Sequence, residues 1–103
     1  MIYQITISTP AETDLRNIFT YIAFELNSPL TALQQLSRLE EQINSLDRMP
    51  KRFSLYQKEP WLSRGLRFVP VDNYIIFYIP QDTEKTVTII RVMYKGKDIE
   101  NEL

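Results

Sequence analysis

Two helix starts separated by a short break are the feature that most constrains how this chain can fold. Thr9-Pro10 opens the first helix, with Glu12 completing a capping box, and Ser28-Pro29 opens the second. Apolar residues then recur at three- and four-residue steps, as on one stripe of a helix. They are Leu15, Ile18, Phe19, Ile22 and Leu26 in the first helix, and Ala32, Leu36, Leu39, Ile43 and Leu46 in the second. Because the link is so short, the two helices must fold back on each other as an antiparallel hairpin.

Strand patterns flank this helix pair. Residues 2–8 alternate between apolar and polar, and three segments rich in β-branched and aromatic residues follow the helices. These segments are 66–71, 74–79 and 86–94. Pro70 indicates an edge strand or a bulge, whereas the uninterrupted apolar run 74–79 is typical of a central strand. The sequence therefore predicts one α+β domain over residues 1–103, with an N-terminal strand, a two-helix antiparallel hairpin and a three-strand antiparallel meander in one twisted sheet.

The chain contains neither cysteine nor histidine. Disulfides and thiolate metal sites are therefore impossible, and the usual general base and the usual zinc ligand are both missing. We expect no metal and no other cofactor. No apolar run is long enough to span a bilayer, and no basic stretch followed by an apolar one opens the chain. These patterns favour a cytoplasmic protein that has no membrane partner.

Charge is distributed unevenly, although the net charge is only −1. The segment through Asp47 has a balance of −4, the segment from Arg48 to Lys97 a balance of +6, and the last six residues −3. Such asymmetry suggests a basic surface for an anionic partner or an acidic protein segment, although solvated faces alone would give the same pattern. Residues 47–65 contain breakers and no apolar period, so we expect a long ordered loop or a short irregular helix. The polar tail 95–103 is expected to be frayed or available to a partner.

The order of these elements resembles the RelE/ParE superfamily of bacterial type II toxin–antitoxin systems. After the opening strand come AETDLRNIFTYI (residues 11–22) and SPLTALQQLSRLEEQINSLDRMP (28–50). GLRFVPVDNYIIFYI (65–79) and VTIIRVMYKGKD (87–98) follow. Each segment is a loose pattern of apolar positions, and the resemblance depends on their order and spacing over nearly the whole chain.

The resemblance implies a toxin that inhibits growth and is neutralised by a cognate antitoxin, in a hetero-oligomer of the two. RelE-like members cleave messenger RNA in the ribosomal A site, with basic and aromatic side chains and no metal. ParE-like members poison DNA gyrase without nuclease activity. A third hypothesis is a chain that still binds its antitoxin but is no longer toxic. The antitoxin is expected to dock on the helical hairpin or on an exposed sheet edge.

Ile75 favours the ParE-like activity. RelE-like enzymes typically carry an arginine in the central strand, in a pattern like Tyr-Arg-hydrophobic-hydrophobic-Tyr, where this chain has YIIFY (residues 74–78). An isoleucine cannot pair with a phosphate. The acidic sequence pI of about 5.4 points the same way, since a nuclease that acts on the ribosome gains from positive charge. The resemblance therefore favours action on gyrase, with ribosome-dependent mRNA cleavage as the alternative.

Basic and aromatic residues of the second half are the candidates for either activity. Metal-free RNA cleavage needs groups that activate the 2′-hydroxyl, stabilise the phosphate charge and protonate the leaving oxygen. The candidates for these catalytic roles are Arg67, Arg91 and Tyr94. The candidates for contacts with the target or with nucleic acid are Lys51, Arg52, Arg64, Trp61, Lys95 and Lys97. Each residue also has a structural interpretation: Arg91 lines a concave site or extends to solvent at the sheet edge, and Trp61 stacks on a partner or anchors its loop.

Overall fold

The computed structural model describes residues 2–103, and this range contains four strands and four helices. The strands are β1 (Gln4–Ile7), β2 (Arg67–Val71), β3 (Tyr74–Gln81) and β4 (Thr86–Tyr94). The helices are α1 (Thr9–Thr20), α2 (Pro29–Ser45), α3 (Trp61–Arg64) and α4 (Ile99–Glu102). A π-helical turn, Tyr21–Glu25, extends α1, and a 3-10 turn, Pro50–Arg52, follows α2. None of the helices in this range is long and apolar enough to cross a membrane.

The sheet is mixed, and its strand order is β1-β4-β3-β2. β2 pairs antiparallel with β3, and β3 with β4, whereas β1 pairs parallel with β4, with Gln4 opposite Thr86 and Ile7 opposite Ile89. The predicted fold class, with its three-strand antiparallel meander, is therefore wrong. The alternating pattern of residues 2–8 identifies a strand but not its neighbour or its direction, which explains the error. Parallel neighbours need a long crossover connection, and the helix pair lies within the connection from β1 to β4.

Ser8 joins the start of α1 to the sheet. Its Oγ accepts a hydrogen bond from the Ala11 N–H at 3.2 Å and donates one to the Ile90 carbonyl at 2.9 Å. The cap of α1 is therefore Ser8, one position before the predicted Thr9. Both residues are good caps, and the contact with β4 distinguishes Ser8. The second helix begins after Ser28, as predicted.

The helices cover one face of the sheet. Leu39, Ile43 and Leu46 pack there with Ile76 and Tyr78 of β3, and all five are at most 2% exposed. Four of these are aliphatic residues at the predicted apolar positions of α2 and β3, and the burial of each contributes about 1.5–3 kcal/mol of hydrophobic stabilisation on this face.

The opposite face of the sheet is covered by the loop and the tail. Leu66, Phe77 and Met93 form its buried cluster. The partly buried residues that pack on this cluster include Tyr56, Trp61, Ile99 and Leu103. The tail is therefore not frayed within the described residues: α4 lies on the sheet, and Glu100 forms an ion pair with Lys58.

The Tyr78 hydroxyl provides a test of the core. It donates a 2.6 Å hydrogen bond to the Pro50 carbonyl, and burial raises its pKa from 10.0 to about 12. We expect Tyr78→Phe to lower the free energy of unfolding at pH 7 by about 1–3 kcal/mol, because the carbonyl loses its donor. Because the folded-state pKa is raised, the stability contributed by the neutral phenol is fully present below pH 10 and is lost as the pH rises toward 12. Urea unfolding at pH 7 and between pH 10 and 12 measures both effects.

Tyr94→Phe is the matched control. Tyr94 is 51% exposed, so losing its hydroxyl should change the free energy of unfolding by less than about 0.5 kcal/mol. If the wild type and Tyr78→Phe lost equal stability above pH 10, the alkaline loss could not be assigned to Tyr78.

Candidate functional site

An open groove of about 660 Å³ lies between α1, the beginning of α2, and the strand ends at Tyr74 and Tyr94. We call it the hairpin groove. Its aromatic and large aliphatic lining includes Tyr21, Ile22, Leu26, Tyr74 and Tyr94. Its polar residues are Asp14, Asn17, Thr31, Gln35, Asn73 and Lys97. Apolar walls with a few polar groups are typical of a binding site.

Helical spacing explains the α1 wall of the hairpin groove. Asp14, Ile18 and Tyr21 lie four and three residues apart, so they share one stripe of the helix. The stripe is continued by Ile22 and Leu26, which belong to the same wall.

Tyr94 forms the opposite wall. Its ring meets the Tyr74 ring edge-on, with 5.7 Å between the centroids. A Cβ added to Gly96 would lie 2.9 Å from the Tyr94 ring, so only glycine at this position leaves the ring where it is. Tyr94, a catalytic candidate, thus lines the groove together with Asp14 and Lys97.

Arg91 forms a bidentate ion pair with Asp14. Its Nε and Nη2 donate to the two carboxylate oxygens at 2.7 and 2.8 Å, and both side chains are less than one-fifth exposed. Its Nη1 donates to the Glu102 carbonyl at 2.6 Å. The hydrogen bonds to Asp14 raise the pKa of Arg91 above its usual value. All three guanidinium nitrogens therefore have partners within the chain.

A β-bulge in β4 explains this position of Arg91. Tyr78 lies opposite Ile89 and Phe77 lies opposite Arg91, so Ile90 is the extra residue. After the bulge, Val92 joins the core beneath the helices. The Val92 N–H donates to Asp14 Oδ2 at 3.0 Å. β1 pairs with β4 only as far as Ile89. Beyond that point the Asp14 carboxylate, instead of a strand, accepts the backbone N–H of β4.

Arg67 and Arg91 lie on opposite faces of the sheet. Arg67 is opposite Tyr78, and Arg91 is opposite Phe77. Cross-strand partners share a face, and consecutive strand residues face opposite ways. The three catalytic candidates are thus not brought together as one constellation.

Arg67 is bound to the loop that follows α2. Its Nη1 donates to the carbonyls of Lys51 and Phe53 at 3.1 and 2.6 Å. These bonds fix the loop against β2, since Leu55 then pairs with Arg67 in an isolated bridge. The side chain is thereby placed in a structural network.

Two of the predicted contact residues bind groups within the chain. Arg52 Nη1 donates to the carbonyls of Arg48 and Met49 at 2.5 and 3.1 Å, which satisfies carbonyls just beyond the helix. Lys51 forms an exposed ion pair with Asp82. Both cations remain exposed, but each already has an internal partner.

Trp61, Arg64, Lys95 and Lys97 have fewer internal partners. The Arg64 guanidinium lies over the Trp61 ring, 5.0 Å from its centroid, and Trp61 is partly buried against the outer face of the sheet. Within residues 2–103, no hydrogen bond or ion pair engages the charged groups of Arg64, Lys95 or Lys97. Of the predicted contact cations, these three therefore have the charged groups that are free to pair with a partner.

Sequence analysis missed Asp14, Gln35 and Gly96. Gln35 is 7% exposed, and its Nε2 donates to Asp72 Oδ2 at 3.0 Å. This bond, together with the one from Arg38, lowers the pKa of Asp72 and holds the β2–β3 turn beside the groove. A polar residue on an otherwise apolar helical stripe is the sequence feature that could have identified Asp14 and Gln35. No sequence pattern around Gly96 indicates that its lack of a side chain positions the Tyr94 ring.

The chain's donor set offers little to a metal ion. In the part of the chain that the structure describes, no group of three or more acidic side chains lies close enough to hold one. The hairpin groove offers a partner apolar contact, hydrogen-bonding groups and the charge of Lys97.

Comparison with known proteins identifies a family. The sequence model described as the ParE toxin of type II toxin-antitoxin system, parDE, matches residues 5–99. A search of curated proteins gave no match.

Solved structures from several organisms share the fold. A chain of the chromosomal ParDE system from P. aeruginosa is 19% identical, with a TM-score of 0.73 over 90% of this chain and 96% of that one. A chain of the RelBE2 toxin–antitoxin complex from Mycobacterium tuberculosis is 22% identical, with a TM-score of 0.69 over 94% and 95%. The E. coli toxin RelE in the free state is 12% identical, with a TM-score of 0.69 over 99% and 93%. At such identities the likeness concerns the fold alone.

The Asp14–Arg91 pair should be far more important for stability than an exposed pair. We expect Asp14→Ala to lower the free energy of unfolding by about 2–4 kcal/mol, because it leaves Arg91 and the Val92 N–H without their acceptor. Glu100→Ala, which removes an exposed partner of Lys58, should cost at most about 1 kcal/mol. Urea unfolding of the two variants at pH 7 makes the comparison.

A double variant separates the loss of the pair from the loss of packing. Asp14→Ala/Arg91→Met removes the unpaired charge, so part of the stability should return. Equal losses for Asp14→Ala and Glu100→Ala would contradict the structural role of the pair.

Proposed function

Because the chain belongs to the ParE toxin family of type II toxin–antitoxin systems, we propose that it inhibits DNA gyrase without cleaving nucleic acid and is neutralised by a cognate antitoxin. Gyrase acts on the chromosome, so the proposal requires the chain to act in the cytoplasm.

The positions and hydrogen-bond partners of the two candidate catalytic arginines, Arg67 and Arg91, are the observation that carries this proposal. A ribonuclease of this superfamily would need its cations to converge on one phosphate. Here Arg67 and Arg91 lie on opposite faces of the sheet, and each donates to acceptors within the chain. Ile75, in the position where RelE-like enzymes typically carry arginine, pairs with Pro70 and Met93 and packs in the apolar cluster. These features favour inhibition by binding.

Target contacts are assigned to the candidate cations whose charged groups form no hydrogen bond or ion pair within residues 2–103. Arg64 stacks on Trp61, and tryptophan and arginine are the residue types that contribute most to protein interfaces. Lys97 lines the hairpin groove, and the Lys95 backbone N–H donates to the carbonyl of Asn73, another groove residue. The positive charge of the two lysines suits an acidic surface on the target.

An antitoxin partner is supported by the similar structures. They include chains of the ParDE system of P. aeruginosa, the RelBE2 complex of M. tuberculosis and an archaeal RelE–RelB complex from Pyrococcus horikoshii. The hairpin groove is the proposed docking site, since it is open and lined by apolar and aromatic side chains. The β2 edge is less suitable, because backbone bonds from Tyr56 to Leu66 and from Phe68 to Ser54 already occupy it.

Gyrase inhibition tests the proposed target. The purified chain should inhibit DNA supercoiling by gyrase and trap cleaved DNA, because it acts by binding. Arg64→Glu should weaken this inhibition at least tenfold. Arg16→Glu reverses the charge of an exposed residue of α1, and it should leave the inhibition within twofold of that of the wild type. Supercoiling gels over a range of concentrations measure the effect.

Ribosome-dependent cleavage of mRNA is the opposing outcome. If the purified chain cleaved mRNA on ribosomes, and if Arg67→Ala abolished cleavage while keeping the wild-type circular dichroism spectrum, the gyrase proposal would be replaced by the nuclease alternative. If expression of the chain without an antitoxin did not slow growth, neither toxic activity would stand.

Antitoxin binding tests the proposed partner and its docking site. The probe is the product of the reading frame directly upstream, where an antitoxin gene is expected, and its coexpression should restore growth and yield a copurifying complex. Tyr94→Ala should weaken the complex at least tenfold, since truncation of a buried interface aromatic typically costs more than 1 kcal/mol. Met49→Ala, at an exposed apolar residue outside the groove, should not. Unchanged affinity of Tyr94→Ala, measured by calorimetry, would exclude the groove as the docking site.

A further inference from the structure

The end of the helical hairpin exposes an unusual amount of apolar surface. Five large apolar side chains near the link between the helices are more than half exposed, out of eight such residues in the described chain. They are Tyr21, Phe24, Leu26, Leu30 and Leu33, at 54%, 72%, 55%, 68% and 56%. We call this set the hairpin-end patch. Scattered apolar residues need no explanation, but a concentration of this kind marks an interaction surface.

The segment that carries the patch is almost without charge. Between Arg16 and Arg38 the sequence contains one charged residue, Glu25, although charged residues make up 24% of the chain. Depletion of charge together with aromatic and aliphatic side chains is the composition of the buried centre of a protein interface. A nucleic acid or a strongly charged peptide would find nothing to pair with here.

Absence of charge favours a second copy of the chain as the occupant. In a two-fold symmetric contact each residue near the axis meets its own equivalent, so a charged patch would bring like charges together. The five residues of the patch are all uncharged, so they avoid that cost. It also consists of helix ends, and two antiparallel helix pairs can pack as a four-helix arrangement.

The size of the patch is consistent with a reversible dimer. The five side chains together expose on the order of 600 Å² of surface, compared with about 800 Å² per partner in a standard interface. This area is below that of obligate dimers, so we expect a reversible association that depends on concentration.

From these observations we propose that the chain, when free of other proteins, forms a two-fold symmetric dimer through the hairpin-end patch. Phe24, Leu30 and Leu33 provide its centre, and Tyr21 and Leu26, which also line the hairpin groove, lie at its border. The proposal does not depend on the target or on toxicity.

Sedimentation of the purified chain at micromolar to near-millimolar concentrations tests the proposal. A concentration-dependent monomer–dimer equilibrium is expected. Leu33→Glu should raise the dissociation constant at least tenfold, because each acid would meet its equivalent across the axis. Met49→Glu, at the most exposed apolar residue (74%) outside the patch, should leave it unchanged. Melting curves monitored by circular dichroism establish that both variants are folded.

Cysteine cross-linking gives a second measurement that adds no charge. The chain has no native cysteine, so Leu33→Cys introduces a single thiol whose mild oxidation should yield a covalent dimer, and Met49→Cys should not. A chain that stays monomeric at every concentration and does not cross-link through Leu33→Cys would overturn the proposal. If in addition Leu33→Glu weakened binding of the upstream-encoded protein or of gyrase, the patch would belong to that partner instead.

Discussion

The Asp14 carboxylate organises the part of the molecule on which the candidate site depends. It lies on α1 and binds Arg91 through both oxygens. It also accepts the backbone N–H of Val92, at a position of β4 beyond its pairing with β1. Through Arg91 it also reaches the Glu102 carbonyl of α4. One acid thus connects the first helix, the last long strand and the tail. The hairpin groove exists because α1 is held at this distance from the end of β4.

The bulge at Ile90 makes this arrangement possible and also explains where sequence reasoning stopped. A regular strand would have placed Val87, Ile89 and Arg91 on the same face, and the arginine then looks like a residue aimed at a ligand. One extra residue changes the alternation, so that Val92 enters the core. No local pattern in IIRVM announces a bulge. Its position depends on the register with β3 and on the availability of Asp14, which lies far away in sequence.

The apolar periodicity correctly located the helices, the central strand and most of the core, because burial of one stripe or one face follows from local spacing. The direction of β1 was missed, since a parallel pairing with β4 is decided by the whole path of the chain. The candidate cations were found by residue type, but the sequence could not predict whether each would be free or bound to groups within the chain. Whether Arg67 or Arg52 is available depends on loop carbonyls that only the folded chain brings near.

The parallel pairing of β1 with β4 has a consequence for synthesis on the ribosome. β1 is synthesised well before its strand neighbour β4, since Gln4 pairs with Thr86. The helix pair can form early from local contacts, whereas the sheet must wait for this long-range pairing. The nascent polypeptide therefore lacks the β1–β4 pair, and with it the groove wall formed by Tyr94, until β4 has been made. The helical hairpin is thus available to a binding partner before the groove that it borders is complete.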